Sequence, residues 1–147
     1  MKVRDVMTEK PAFATPDTDL QKVARQMVDH NVGLIPIIDN KDTMKVVGVV
    51  SDRDITVRCV AEGQNPLEMK ARDVMSKPVV VVAEEDDLQS AVRLMEKYQV
   101  RRIPVVDEQD RVCGIVAQAD IALKASEETT ASVVQEISEP GKKQKQA

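Results

Sequence analysis

A chain that repeats itself must bury the same apolar face twice, and that requirement removes most folds from consideration. Here Arg4-Asp5-Val6-Met7 returns 68 positions later as Arg72-Asp73-Val74-Met75. At the same offset Leu20, Val23, Ala24, Met27, Val32, Ile35, Pro36 and Asp39 fall on Leu88, Ala91, Val92, Met95, Val100, Ile103, Pro104 and Asp107. The chain is two copies of one unit. Repeated units bury apolar surface against each other, so function is expected in the clefts between copies and not in a single catalytic pocket. A length of 147 residues suits one ordinary core or two small fused ones. It reads as one pseudo-twofold domain.

Each copy opens with a polar linker ending in proline, Thr8 to Pro11 and Ser76 to Pro78, followed by a β-prone stretch. These stretches are Ala12-Phe13-Ala14 and Val79 to Val82. An acidic cap region then starts a helix. Apolar residues at 20, 23, 24 and 27, and at 88, 91, 92 and 95, recur at spacings of three and four, one helical stripe per copy. Met27 and Met95 are therefore core residues.

Two strands follow in each copy: Leu34 to Ile38 and Lys45 to Val50 in the first, Arg102 to Val106 and Arg111 to Val116 in the second. Pro36 and Pro104 point to edge strands or irregular starts. Gly48 and Gly114 admit a close neighbour inside the last strands. A second helix begins near Ser51 and near Ala117. The order per copy is β-α-β-β-α, a mixed α/β (α+β) unit. Copy one spans 1–62, an inter-repeat loop 63–70, copy two 71–124, and a C-terminal extension 125–147 that is partly disordered, with one weakly amphipathic stretch from Ala131 to Ile137.

Charge and composition exclude several functions. The net charge of −4 gives no general attraction to phosphate backbones or anionic lipid, so neither nucleic acid nor membrane is expected as a partner. No apolar run approaches the about 20 residues of a membrane span, and Met1 to Asp5 leads into charge, which reads as cytoplasmic. Cys59 and Cys113 occupy unrelated places in the copies and have only His30 as imidazole companion, which argues against a zinc site or a disulfide framework. His30 reads as a helix-end residue without a catalytic partner, and Glu84-Glu85-Asp86-Asp87 as a charge cluster complementing a helix dipole. No enzyme, metal or required cofactor is expected.

The repeated Asp-Val-Met, the segments Ile-Pro-Ile-Ile-Asp (35–39) and Ile-Pro-Val-Val-Asp (103–107), and Gly-Val-Val-Ser-Asp-Arg-Asp (48–54) together resemble the cystathionine-β-synthase (CBS) domain. Two copies in register, over about residues 1 to 124, resemble a Bateman module, and in particular the small stand-alone bacterial CBS-pair proteins. The resemblance implies two repeats packed through their sheets and a homodimer formed through helices. It also implies an adenosyl ligand such as AMP, ADP, ATP, NAD or S-adenosylmethionine bound between the copies.

Two readings of Ser51 and Asp54 stand side by side. Ser-x-x-Asp before an apolar run is a helix capping box that needs no ligand. In the resembled family the same hydroxyl and carboxylate bind a ribose, beside helix N–H groups that could meet phosphate. By that resemblance the main cleft combines Val49, Ser51, Arg53 and Asp54 with Val80, Arg101, Arg102 and Ile103. Adjacent residues of an extended segment face opposite ways, so one arginine is expected to enter, Arg102 in preference to Arg101. Copy two keeps Asp120 but has Ala117 in the hydroxyl's place, and Gly33 and Leu34 stand where copy two has Arg101 and Arg102. Its cleft, of Phe13, Leu34, Ile35, Ile115 and Asp120, is doubtful. The chain then reads as a regulatory sensor that modulates self-association or an unknown client protein, or alternatively as a ligand-free dimeric scaffold.

Overall fold

The computed structural model describes residues 1–77 and 79–127. Pro78, the stretch from Ala131 to Ile137 and the rest of the expected tail beyond residue 127 lie outside the described residues. In chain order the elements are β1 (Thr8–Glu9), α1 (Leu20–His30), β2 (Leu34–Ile38), β3 (Val46–Ser51), α2 (Asp52–Ile55), α3 (Ala71–Val74), β4 (Val82–Ala83), α4 (Leu88–Tyr98), β5 (Arg102–Val106) and β6 (Val112–Ala117). Helix α5 follows over residues 118–127. A π-helical turn, Thr56–Val60, prolongs α2.

The helical stripes are buried as the spacing requires: Leu20, Val23 and Met27 on α1, Ala91 and Met95 on α4. Both helices end at a residue in the left-handed region, Asn31 (φ 51°) and Gln99 (φ 53°), which stops the helix and turns the chain into the next strand. Burying a side chain such as fully enclosed Val23 is worth about 1.5–3 kcal/mol, so these stripes anchor the helices far more firmly than their intrinsic propensity.

The helix starts are acidic, as expected, but are not closed by their acidic side chains. Asp19 and Asp87 stand at the N-cap positions, but neither side chain caps. The first amides are met instead by distant backbone: Leu20 N–H donates to Met69 O in the inter-repeat loop (2.9 Å) and Leu88 N–H to Met1 O of copy one (2.8 Å). Asp19 is thereby free to pair with Lys70 Nζ at 2.7 Å. Within the acidic run, Glu85 is engaged away from the helix, binding Lys2 and Arg4, each at 2.5 Å.

The early strands are also shorter than their sequence suggests. Of Ala12 to Ala14 only Ala14 makes an isolated parallel bridge, to Ile37, and of Val79 to Val82 only Val82 joins β4. The hairpins β2–β3 and β5–β6 are antiparallel, with matching irregularities between Ile37 and Ile38 and between Val105 and Val106.

What binds the copies together is an exchange of their opening segments. β1, at the start of copy one, pairs with β6 of copy two, Thr8 against Ile115 and Glu9 against Gly114. Reciprocally, Ser76 bridges Val49 of copy one, with Ser76 N–H donating to Val49 O at 2.8 Å and Val49 N–H to Ser76 O at 3.3 Å. The cores follow the exchange. Ala71 and Val74 lie in the core of Val23, Ile35, Ile37 and Val50, and Val3 lies in the core of Val82, Ile103, Val105 and Val116.

The repeated Arg-Asp-Val-Met now has a physical account. Asp5 and Asp73 accept the backbone N–H of Lys2 (2.9 Å) and Lys70 (2.8 Å), closing a helical turn. Met7 and Met75 lie over Gly114 and Gly48 of the opposite copy, whose missing Cβ atoms make the space. Arg58 adds a clasp in copy one, its Nη1 donating to the carbonyls of Val74 and Met75, both at 2.9 Å.

Candidate functional site

A cleft of about 790 Å³ opens where the end of β3 faces the start of β5. It falls within the about 300–1,000 Å³ of small-molecule sites. Leu34, Val49, Ser51, Asp52, Arg53, Asp54, Ser76, Gln99, Val100, Arg101 and Arg102 line it. Strand β3 carries Val49 and Ser51 to its rim. The break from β3 into α2 turns Asp52, Arg53 and Asp54 around the same corner, and the left-handed Gln99 brings in the arginine segment.

The capping box is formed in full. Asp54 N–H donates to Ser51 Oγ (3.0 Å) and Ser51 N–H to Asp54 Oδ2 (2.8 Å). Asp54 Oδ1 accepts in addition from Ser76 Oγ (3.1 Å), a contact from the opposite copy. The amides at the helix start are therefore not available to phosphate as the sequence suggested. Asp52 N–H donates to Gly33 O (3.0 Å), Arg53 N–H to Asp52 Oδ1 (2.9 Å), and Asp54 N–H to Ser51. Charge recognition at this rim falls to side chains.

Both arginines line the cleft, where only one was expected. Arg101 and Arg102 lie at the end of the Gln99 turn, before a full strand alternation can separate them. Arg102 Nη2 reaches across to Asp52 Oδ1 at 3.3 Å. The guanidinium and the Asp52 carboxylate occupy the space that a Cβ at residue 33 would need, so Gly33 makes this pairing sterically possible.

The remaining expected residues are placed elsewhere. Ile103 is fully buried in the core of copy two, because one residue along β5 reverses the side-chain direction, and Val80, ahead of β4, is half-buried against the same core. In the doubtful second cleft, Ile35 is fully buried, Leu34 lines the main cleft, and Ile115 lies on β6 beside β1. Phe13 is half-buried, its carbonyl held by Gln26 Nε2 (2.9 Å). Asp120 accepts Ala117 N–H at 3.3 Å, half of a capping box whose hydroxyl is missing.

Ser76, Asp52, Gln99 and Val100 were missed. Ser76 had a signal in the repeat, since it matches Thr8 at the common offset, but nothing local marks it as a neighbour of Asp54.

Among the described residues no group of three or more His, Cys, Asp or Glu side chains is arranged to hold a metal ion, and no helix is long and apolar enough to cross a membrane. Cys59 is buried in the first core. Cys113 donates its thiol to Glu84 Oε2 at 3.1 Å, and burial together with that carboxylate pushes its pKa up to about 12.

Two small α/β repeats with exchanged openings and a cleft between them define a paired-repeat fold. The sequence matches the CBS domain twice, over residues 3–60 and 71–127, so the chain belongs to the CBS domain family. It is 36% identical over 137 residues to the CBS domain-containing protein YhcV of Bacillus subtilis, covering 92% of this chain and 94% of that one. An uncharacterized protein of Methanopyrus kandleri is 36% identical over 118 residues, 80% of this chain and 57% of its own length.

Among solved structures, hypoxic response protein I, with two coordinated zinc ions, superposes with a TM-score of 0.72 at 32% identity, over 83% of this chain and 97% of that one. The CBS domain pair of protein MJ0100, in complex with 5′-methylthioadenosine and S-adenosyl-L-methionine, gives a TM-score of 0.77 at 26% identity, over 87% and 98%. CBSX2 in complex with AMP gives 0.73 at 25% identity, over 86% and 97%.

Proposed function

We propose that this chain is a regulatory module that binds an adenosyl small molecule in the Ser51–Asp54 cleft and thereby modulates its own association or a client protein. The observation that carries the reading is the meeting of Ser51, Asp54 and Ser76 with Arg53, Arg101 and Arg102 in one cleft. A carboxylate held by the Ser76 hydroxyl and the Ser51 backbone N–H can exchange the Ser76 bond for a ribose hydroxyl, and guanidiniums beside it suit a phosphate. Val49, Leu34 and Val100 supply aliphatic walls for a base. The adenosyl ligands in two structural neighbours support the same class, of which AMP, ADP, ATP, NAD and S-adenosylmethionine are the candidates.

The module itself performs no chemistry in this reading and acts in the cytoplasm. It works as a homodimer. Val28 on α1, Val57 and Val60 beyond α2, Tyr98 on α4 and Leu123 on α5 are all exposed, and a second copy would cover such helix faces.

A thermal-shift series with these five ligands tests the proposal. Ligand at about 100 times its dissociation constant adds about 2.7 kcal/mol of native stability. Asp54→Ala is compared with itself, with and without ligand, because losing the capping box lowers its starting stability. At least one ligand stabilises the wild type, and Asp54→Ala abolishes that increment. Silence from all five refutes the sensor and leaves a dimeric scaffold that uses the exposed helix faces.

A further inference from the structure

The cleft contains an anion of its own. Asp52 belongs to copy one and Arg102 to copy two, yet their side chains meet at 3.3 Å across the opening that a phosphate would have to enter. Neither is buried, with side chains 32% exposed for Arg102 and 66% for Asp52, so the pair can open to admit a competitor. Its position is nevertheless specified. Asp52 is steadied at both ends of its residue, its N–H on Gly33 O (3.0 Å) and its Oδ1 on Arg53 N–H (2.9 Å). Residue 33 has no Cβ, and any Cβ there would overlap both the guanidinium and the carboxylate. Copy two carries arginine at the matching position, Arg101, so the space exists on one side of the pseudo-twofold only.

We infer that Asp52 is a specificity-determining residue that competes with ligand phosphate for Arg102, with Gly33 supplying the room for the competition. The inference rests on the adenosyl-ligand reading of the cleft. A phosphate-bearing ligand must displace Asp52 before it can use Arg102, whereas an uncharged adenosyl group that needs only Ser51, Asp54 and the aliphatic walls is indifferent to the pair. Asp52 therefore narrows the gap in affinity between AMP or ATP and an uncharged adenosyl ligand. Exposed ion pairs are worth about 0.2–1 kcal/mol, which corresponds to about a 1.4- to 5-fold change in affinity.

Two substitutions release Arg102 by different means. Asp52→Asn removes the competing charge; Gly33→Ala displaces the pair by volume and leaves net charge unaltered. Calorimetric titration of wild type and both variants uses AMP, 5′-methylthioadenosine and inorganic pyrophosphate as probes, with Asp54→Ala as the control for ribose binding and the Arg102 Nε–H resonance as a local reporter. Both variants bind AMP and pyrophosphate about 1.4- to 5-fold more tightly, the Arg102 resonance responds at correspondingly lower pyrophosphate, and 5′-methylthioadenosine is unchanged.

If wild type binds AMP through Asp54 but neither variant alters the ratio of AMP to 5′-methylthioadenosine affinity, the competition is refuted and the nucleotide reading stands. A gain in Asp52→Asn alone also refutes it, because the effect is then general electrostatics and not the seated pair. If no adenosyl probe binds while pyrophosphate still discriminates the variants at Arg102, the nucleotide reading falls and the competition for Arg102 stands. Should pyrophosphate show no such discrimination either, both fall.

Discussion

Gly48 and Gly114 are equivalent by repeat, and the exchange of opening segments makes them unequal in energy. A Cβ built on Gly48 would lie 2.8 Å from Met75 Sδ, 3.2 Å from its Cγ and 3.4 Å from its Cβ, all atoms of one flexible side chain. On Gly114 it would lie 2.5 Å from Met7 Sδ and 2.9 Å from Thr8 O, a backbone atom of β1. A thioether can change rotamer, but the Thr8 carbonyl is fixed by the pairing of Thr8 with Ile115. Overpacking costs about 1–3 kcal/mol, with Gly48→Ala at the low end and Gly114→Ala at the high end. Replacing glycine also returns about 0.4–1 kcal/mol through the unfolded chain. The net losses are then about 0–0.6 kcal/mol at Gly48 and about 2–2.6 kcal/mol at Gly114. Urea unfolding at fixed protein concentration, with the slope unchanged at about 1–3 kcal/mol/M, reads the difference of about 2 kcal/mol as a midpoint separation of about 0.7–2 M. The double variants sharpen the test. Met75→Ala relieves Gly48→Ala, giving non-additive losses, whereas Met7→Ala leaves the Thr8 clash of Gly114→Ala in place. Equal losses at the two glycines, or full relief of Gly114→Ala by Met7→Ala, would refute the reasoning.

Further outcomes follow from the same geometry. Ala117→Ser supplies the hydroxyl missing beside Asp120 and raises stability by about 0.5–1 kcal/mol in the same assay, while Ser51→Ala lowers it by about 1 kcal/mol. Asp19 is held below the ordinary carboxylate value of 3.8 by its hydrogen bond and charge pairing with Lys70. Its stabilisation is thus present above that value and lost as pH falls through the lower, folded one. Carbon-detected NMR titration of Lys70→Met finds Asp19 moved upward towards 3.8, and acid unfolding loses part of its pH dependence. Glu84→Gln removes the carboxylate that, after burial, most raises the Cys113 thiol, so alkylation of Cys113 at alkaline pH becomes faster, as mass spectrometry would measure.

The parts of the site that were legible are those whose partners are near in sequence. Ser51 and Asp54 are three residues apart, and the capping box follows from residue type and spacing. Ser76 lies 22 residues from Asp54 and Asp52 lies 50 from Arg102, separations across which no periodicity carries information. The misplacement of Ile103 has a related cause: a strand's alternation is certain, but its phase relative to a cleft depends on where the strand starts, and a shift of one residue reverses every side chain. The second early strand is shorter than its sequence suggests because Val79 to Val82 has strong β propensity but only Val82 finds a strand partner.

By itself the sequence determined that there are two copies, which helix faces are buried, where α1 and α4 lie, and that a hydroxyl and a carboxylate stand together at the end of β3. These properties arise from local spacing and from the repetition of apolar positions, which any fold of this chain must satisfy. Only the tertiary structure decided that the opening segments change places, so that Met75 and Ser76 serve copy one while Met7 and Thr8 serve copy two. It alone decided that Arg102 meets Asp52 over Gly33. Those contacts follow from how two similar cores fit together, and the energy that selects the fit comes from surfaces assembled from residues far apart along the chain.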